Sequence, residues 1–387
     1  MIPYGRQHIT QADIDAVVDV LQSDFLTQGP KVPAFERAVA DRVGAKHAVA
    51  ANSGTSALHV ACLALGLGPG DFLWTSPITF VASANCALYC GAKVDFVDID
   101  PHTYTMCPKA LEEKLEQAKN EHRLPKIVIP VHMCGQPCNM AAIFDLSQKY
   151  GFKIIEDACH ALGGEYKGSS IGSCRYSAIT VFSFHPVKII TTGEGGMAVT
   201  NDVELANRMY LFRSHGITSN RDQMEPRPTE EIWNYQQINL GYNYRMTDIQ
   251  AALGISQLEK LDMFIERRRE IAQRYEPLLT GFPIIIPWQN PDGLSSWHLY
   301  VIRLQLNKIK LSQKQVYEKM TEKGILVNLH YIPVHTQPWY QKMGFKMGQF
   351  PKAEQYYREA ITLPLFPAMI NDEQNEVVTS LEEILQS

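Results

Sequence analysis

Residues 177–196 read S-A-I-T-V-F-S-F-H-P-V-K-I-I-T-T-G-E-G-G and place a lysine where lysines are uncommon. Ile179, Val181, Phe182 and Phe184 predict a buried strand. Ser183, His185 and Lys188 fall at its end, followed by glycines at 193, 195 and 196. An ammonium among apolar residues loses hydration. That loss favours the neutral, nucleophilic amine, the form in which lysine makes Schiff bases with carbonyl compounds. A solvent-facing lysine after a strand satisfies the same residues, so the stretch alone leaves both readings open.

Three other groups fall at similar places. Asn52-Ser53-Gly54-Thr55-Ser56-Ala57 lies between a short strand at residues 48–50 and an apolar helix containing Leu58, Cys62 and Leu65. A helix N-terminus presents unpaired N–H groups and partial positive charge. Thr55 and Ser56 add hydroxyls, so this turn suits a phosphate, although a plain helix cap uses the same residue types. Phe80 follows a strand at 71–75 and could stack on a planar ring or fill the core. Asp157 ends a strand at 153–157, 31 residues before Lys188 (188 − 157). It could hold a protonated ring nitrogen or cap a helix.

The elements that must position these groups alternate. Thr10 and Asp13 form a capping-box variant at the start of a helix, whose apolar face is Ile14, Val17, Val18 and Leu21. A polar loop at 23–30 leads to a helix over 32–43 that ends at Gly44. Strands at 71–75, 93–100, 126–131, 153–157 and 179–184 then alternate with helices near 58–65, 111–118 and 141–150. This order predicts a mostly parallel α/β sheet. Such sheets gather ligands at the carboxyl ends of their strands, where all four groups lie. Residues 213–245 are irregular, punctuated by Pro226-Arg227-Pro228, and loops of that length often serve function or reach a neighbour. Thr247-Asp248 starts one long helix with Ile255, Leu258, Leu261 and Ile265 inward. The run Glu266-Arg267-Arg268-Arg269-Glu270 is assigned to its solvated face. A composition shift at Gly281-Phe282-Pro283 marks a smaller α/β domain, with strands at 297–306 and 324–330 and helices at 312–323 and 374–385. The division adopted is 1–272 and 273–387.

The 387 residues suffice for about two domains. They are 45% hydrophobic and 20% charged, with net charge −5, which argues against a nucleic-acid binder. No apolar run approaches the ~18 residues of a membrane span, and residues 1–6 lack a signal-peptide core, so a cytoplasmic location is expected. Eight scattered cysteines suggest free thiols. His132, Cys134 and Cys138 lack zinc-like spacing and a second ligand pair, so no metal is expected there.

The chain resembles a fold-type-I pyridoxal phosphate enzyme of the nucleotide-sugar aminotransferase family. The resemblance is carried by Asn52-Ser53-Gly54-Thr55-Ser56-Ala57, Pro77-Ile78-Thr79-Phe80-Val81-Ala82, Glu156-Asp157-Ala158-Cys159-His160-Ala161, Phe182-Ser183-Phe184-His185-Pro186-Val187-Lys188, Gly193-Glu194-Gly195-Gly196, Gly241-Tyr242-Asn243-Tyr244-Arg245-Met246-Thr247 and His330-Tyr331-Ile332-Pro333-Val334-His335. It covers nearly the whole chain. It implies that Lys188 forms the Schiff base with pyridoxal 5'-phosphate and acts in catalysis, with pyridoxamine phosphate formed during turnover. It also implies that Asp157 binds the pyridine nitrogen, that Thr55, Ser56 and Ser183 hold the phosphate, and that Phe80 stacks on the ring. By the same resemblance His160 lies near the ring's oxygen substituent. Asn243 resembles an asparagine supplied by the other subunit of a homodimer with shared active sites. Family dehydratases carry histidine where this chain has Lys188, so transamination is expected.

Within the family, Tyr4-Gly5, residues 24–30, 212–216 and 327–331 are most similar to members that aminate a UDP-linked 4-keto-6-deoxy-N-acetylhexosamine with L-glutamate. By that resemblance Tyr4, Asp24, Phe25, Leu26, Thr27, Gly54, Ser183, Asn243, Asn328, Leu329, His330 and Tyr331 would line the sugar-nucleotide site. The alternatives are another 3- or 4-keto nucleotide sugar, or a non-catalytic regulator on the same scaffold, which would need neither Lys188 nor Asp157.

Overall fold

A computed structural model describes residues 1–226 and 231–387; Arg227 and Pro228 of the Pro-Arg-Pro punctuation lie outside the described residues. The core is a seven-stranded sheet in the order His47–Ala51, Gly196–Thr200, Ile179–Ser183, Lys153–Asp157, Ile127–Ile129, Phe72–Thr75, Lys93–Phe96. Gly196–Thr200 runs antiparallel to both neighbours, and every other adjacent pair is parallel. Both faces are covered, as a parallel sheet requires. Ile127 and Ile129 point to one side, toward the helices Gly54–Ala64, Ala82–Tyr89 and Val203–Arg213. Val128 points to the other, toward Lys31–Val43, Pro108–Asn120 and Met140–Tyr150. The period of two along the strand sorts the core into these layers.

Several elements differ from the sequence reading. The first helix, Gln11–Leu21, exposes Ile14, Val18 and Leu21 and buries Asp13 and Val20. Asp13 goes inward because donors satisfy it: Thr10 N–H (2.8 Å), Thr10 Oγ1 (2.9 Å), Ser256 Oγ (2.7 Å), Gln257 Nε2 (3.0 Å) and Lys260 Nζ (2.6 Å). The expected long helix is two, Asp248–Leu258 and Leu261–Leu278. Lys260, beside the break, spends its ammonium on Asp13 and on the Thr10 hydroxyl (2.8 Å). Within the charged run, Arg268 is buried. Its Nη1 donates to the carbonyls of Trp297, His298 and Leu365, and burial pulls its pKa down to about 9. Three converging carbonyls make the interior habitable for a guanidinium, which local charge patterning could not show.

The C-terminal part builds on Tyr300–Leu304, flanked antiparallel by Ile284–Ile285 and Ala360–Leu363. Tyr300–Leu304 is shorter than expected and buried along its whole length. Of the expected strand at 324–330, Ile325–Leu326 pairs in parallel with Ile2–Pro3 and Asn328 makes a single antiparallel bridge to Thr362. The N-terminus is thereby anchored here, and Tyr4 O accepts from Leu365 N–H (3.0 Å). Helix Leu261–Leu278 joins the two parts: Leu261, Phe264 and Ile265 pack beneath the large sheet, and Ile271, Ala272 and Tyr275 pack in the smaller core. The 272/273 division, which we propose as the domain boundary, falls inside it. Among the described residues no helix is long and apolar enough to cross a membrane, and all eight cysteines are unpaired.

Candidate active site

A cavity of about 790 Å³ opens at the carboxyl ends of the central strands, roofed by Tyr4, His298 and residues 328–331. Its floor begins at the turn after His47–Ala51. Ser53 is the N-cap of Gly54–Ala64, and its Oγ accepts the Ser56 N–H at 3.1 Å. The Ser56 hydroxyl donates to Asn52 Oδ1 at 2.6 Å, which fixes the turn. A Cβ on Gly54 would sit 2.9 Å from Ser183 Cβ and 3.2 Å from its Oγ; a Cβ on Gly196 would sit 2.4 Å from the Ser53 carbonyl oxygen. Two glycines thus let the helix N-terminus, Thr55, Ser56 and Ser183 share one wall. That wall offers hydroxyls beside a positive helix end, a suitable seat for a phosphate.

Asp157 and Lys188 face the same cavity. Asp157 is buried at the end of its strand. Its Oδ1 accepts the Cys159 N–H (3.1 Å) and its Oδ2 accepts the Ser83 hydroxyl (2.6 Å). Burial holds the Lys188 pKa below the usual lysine value, opposed in part by Cys159 and Asp157. Phe80 is 58% exposed, so the core reading of this residue is excluded; its ring sits at the cavity, 6.3 Å from that of Tyr331.

The opposite wall is a neutral donor chain. Cys134 N–H donates to His160 Nδ1 at 3.3 Å, so the ring proton sits on Nε2, which faces Tyr331 Oη at 3.0 Å. Burial pushes the His160 pKa well below its usual value, reinforced by Lys188 and His330. Burial also raises the Tyr331 pKa well above the usual phenol value. Tyr331 accepts from His160 and keeps its own O–H for a ligand. His298, absent from the sequence reading, has its ring centre 4.4 Å from that of His160, tilted by 50°, and lines the cavity with an unpartnered, buried Nδ1. Its only sequence signal was a histidine opening a strand. His132 and Cys138 are joined to each other and to Glu156: Cys138 N–H donates to His132 Nδ1 (3.0 Å), and His132 Nε2 meets Glu156 (2.8 Å).

Tyr4, Gly54, Thr55, Ser56, Phe80, Asp157, His160, Ser183, Lys188, Asn328, Leu329, His330 and Tyr331 therefore converge. Asp24, Phe25, Leu26, Thr27 and Asn243 do not line this cavity and are exposed. Residues 26 and 27 are tied to the segment that follows Asn243, and Asn243 itself bridges Ser214. Thr27 bridges Thr247, Leu26 O accepts from Asp248 N–H (3.0 Å), and Asp248 accepts from the N–H groups of Gly29, Lys31 and Val32.

A half-buried lysine, a buried carboxylate and an anion-binding turn around one cavity, at the end of a mixed sheet with a single antiparallel strand, fit pyridoxal phosphate. They define a pyridoxal-phosphate-dependent transferase. The DegT/DnrJ/EryC1/StrS aminotransferase family matches residues 7–382, and the chain belongs to it. This family is pyridoxal-phosphate-dependent, and the protein is an aminotransferase. The UDP-4-amino-4,6-dideoxy-N-acetyl-beta-L-altrosamine transaminase of Campylobacter jejuni is 39% identical over 389 residues, covering 100% of this chain and 98% of that protein. The spore coat polysaccharide biosynthesis protein SpsC of Bacillus subtilis is also 39% identical, covering 100% and 97%. Among solved structures, Helicobacter pylori PseC, an aminotransferase involved in the biosynthesis of pseudoaminic acid, has a TM-score of 0.90 at 31% identity, covering 100% of this chain and 99% of that one.

Proposed function

We propose that the enzyme moves the amino group of L-glutamate to a UDP-linked 4-keto-6-deoxy-N-acetylhexosamine. The product would be UDP-4-amino-4,6-dideoxy-N-acetyl-β-L-altrosamine, a precursor for pseudaminic acid biosynthesis. The observation that carries transamination is the juxtaposition of Lys188 and Asp157 at one cavity. The Campylobacter and Helicobacter relatives support the sugar. The spore coat relative is equally similar, which favours a second reading, another 3- or 4-keto nucleotide sugar.

When bound, pyridoxal phosphate supplies an electron sink for the pair released at the carbon bearing the amine. Thr55, Ser56 and Ser183 would hold its phosphate, Asp157 its ring nitrogen, Phe80 its face and Lys188 its aldehyde carbon. The free Lys188 amine would be placed to take the proton from the α-carbon of glutamate, and burial, which lowers its pKa, favours its base form. Tyr331 offers a neutral O–H to a substrate oxygen. Tyr4, Leu329 and His330 line the wall that a substrate would face.

We further propose that the working unit is a homodimer in which residues 24–27 and Asn243 reach the partner's cavity. The exposed apolar side chains Ile14, Val18, Leu21, Phe25 and Leu26 support this. Mass spectrometry of products from glutamate and a panel of UDP- and dTDP-linked 4-keto and 3-keto sugars tests the substrate. The altrosamine product is expected, and amination of only a different sugar would sink the assignment. Lys188→Ala should abolish turnover; a variant at the wild-type rate would remove Lys188 from the mechanism.

A further inference from the structure

Asp157 does not stand alone. Its Oδ2 accepts from Ser83 Oγ at 2.6 Å, and Ser83 Oγ lies 2.7 Å from Thr79 Oγ1. Ser83 is 0% and Thr79 2% exposed. An ionised carboxylate only accepts, so the Ser83 proton must point at Asp157. The Thr79 proton must then point at Ser83. The chain of donors is fixed in direction: Thr79 to Ser83 to Asp157. The Cys159 N–H occupies the other oxygen at 3.1 Å. The terminal torsion of an aspartate is broad, and one donor on each oxygen sets the plane of the carboxylate.

The same segment carries Phe80 to the cavity. It is held from outside by Val334 N–H to the Pro77 carbonyl (2.9 Å) and by Tyr340 Oη to Asn85 Oδ1 (2.6 Å). The face-stacking ring and the support for the carboxylate therefore move as one unit. Ser83 is in the first turn of Ala82–Tyr89, where a serine commonly satisfies its own helix. Here its own turn offers only the Phe80 carbonyl at 3.4 Å, and the short bond, 2.6 Å, goes to Asp157, 74 positions away.

We propose that Ser83, oriented by Thr79, is a positioning residue that fixes the Asp157 carboxylate toward the cofactor's ring nitrogen. This rests on the reading of Asp157 as that nitrogen's partner. Hydrogen bonds to ionised groups are the strong ones, so the loss should be measurable.

The test is titration of full-length, cofactor-stripped protein with pyridoxal phosphate, followed by near-visible absorbance and the circular dichroism of the bound cofactor. Ser83→Ala should raise the dissociation constant about tenfold and weaken the dichroic band. Thr79→Val, one bond further out, should raise it about twofold, and it carries the test if Ser83→Ala does not fold. In an Asp157→Ala background, Ser83→Ala should add almost nothing, because Ser83 acts through the missing carboxylate. A merely structural serine would instead give the full, additive loss, and that result overturns the proposal. If Asp157→Ala weakens binding but Ser83→Ala and Thr79→Val leave it unchanged, the role of Ser83 is wrong and that of Asp157 stands. An Asp157→Ala protein that binds like the wild type overturns both.

Discussion

Lys188, Asp157 and Gly54 each depend on what surrounds them more than on what they are. The lysine is a usable base because burial depresses its pKa. The aspartate is a usable anchor because both its oxygens are already held. The glycine is required because Ser183 leaves no room for a side chain. A methyl group at position 54 would press on Ser183 Cβ, which is not the end of a flexible chain. Gly54→Ala should therefore lose about 1–3 kcal/mol of stability, read from the denaturant midpoint, and should bind pyridoxal phosphate more weakly than the wild type. Unchanged stability and binding would show that the turn has slack.

At the scale of elements, one ionic knot sets the position of the first helix. Asp13 ties Gln11–Leu21 to helix Asp248–Leu258 through Ser256 and to the break after it through Lys260. Burial would raise its pKa, but Lys260, Thr10 and Ser256 win and hold it at about 2, against an ordinary 3.8. A carboxyl depressed in the folded state contributes stability that is present above its unfolded pKa and lost as pH falls through the folded one. Asp13→Ala leaves Lys260 without its partner and should cost about 3–5 kcal/mol near neutral pH. The gap between wild type and variant should narrow between about pH 4 and pH 2, as urea unfolding at stepped pH would reveal. A gap independent of pH would mean that the charge contributes nothing.

At the scale of the molecule, the exposed face of the first helix and the exposed loop at 24–27 have no cover within one chain. The proposed dimer would supply it. Val18→Asp, which puts a charge into that face, should shift the protein toward monomer in light scattering. Activity should fall with it, since residues 24–27 and Asn243 would no longer be delivered. A Val18→Asp protein that remains dimeric would place the interface elsewhere.

The sequence by itself determined the alternating architecture, because strand and helix periodicities are local. It also determined which motifs fall at strand ends, the property that brings Asn52–Ser56 together with Asp157 and Lys188 in a parallel sheet. The capping box at Thr10 and the helix stop at Gly44, with φ 77°, were equally local. Only the tertiary structure decided the rest. Phe80 could not be separated from a core residue until its neighbours left it open. Asp13 reads as a surface cap until Ser256, Gln257 and Lys260, more than 240 positions away, close over it. Arg268 reads as solvated until three distant carbonyls converge on it, and His298 reads as a strand residue until His160 lies beside it. Burial of a polar group depends on partners remote in sequence, and no periodicity records where those partners will be.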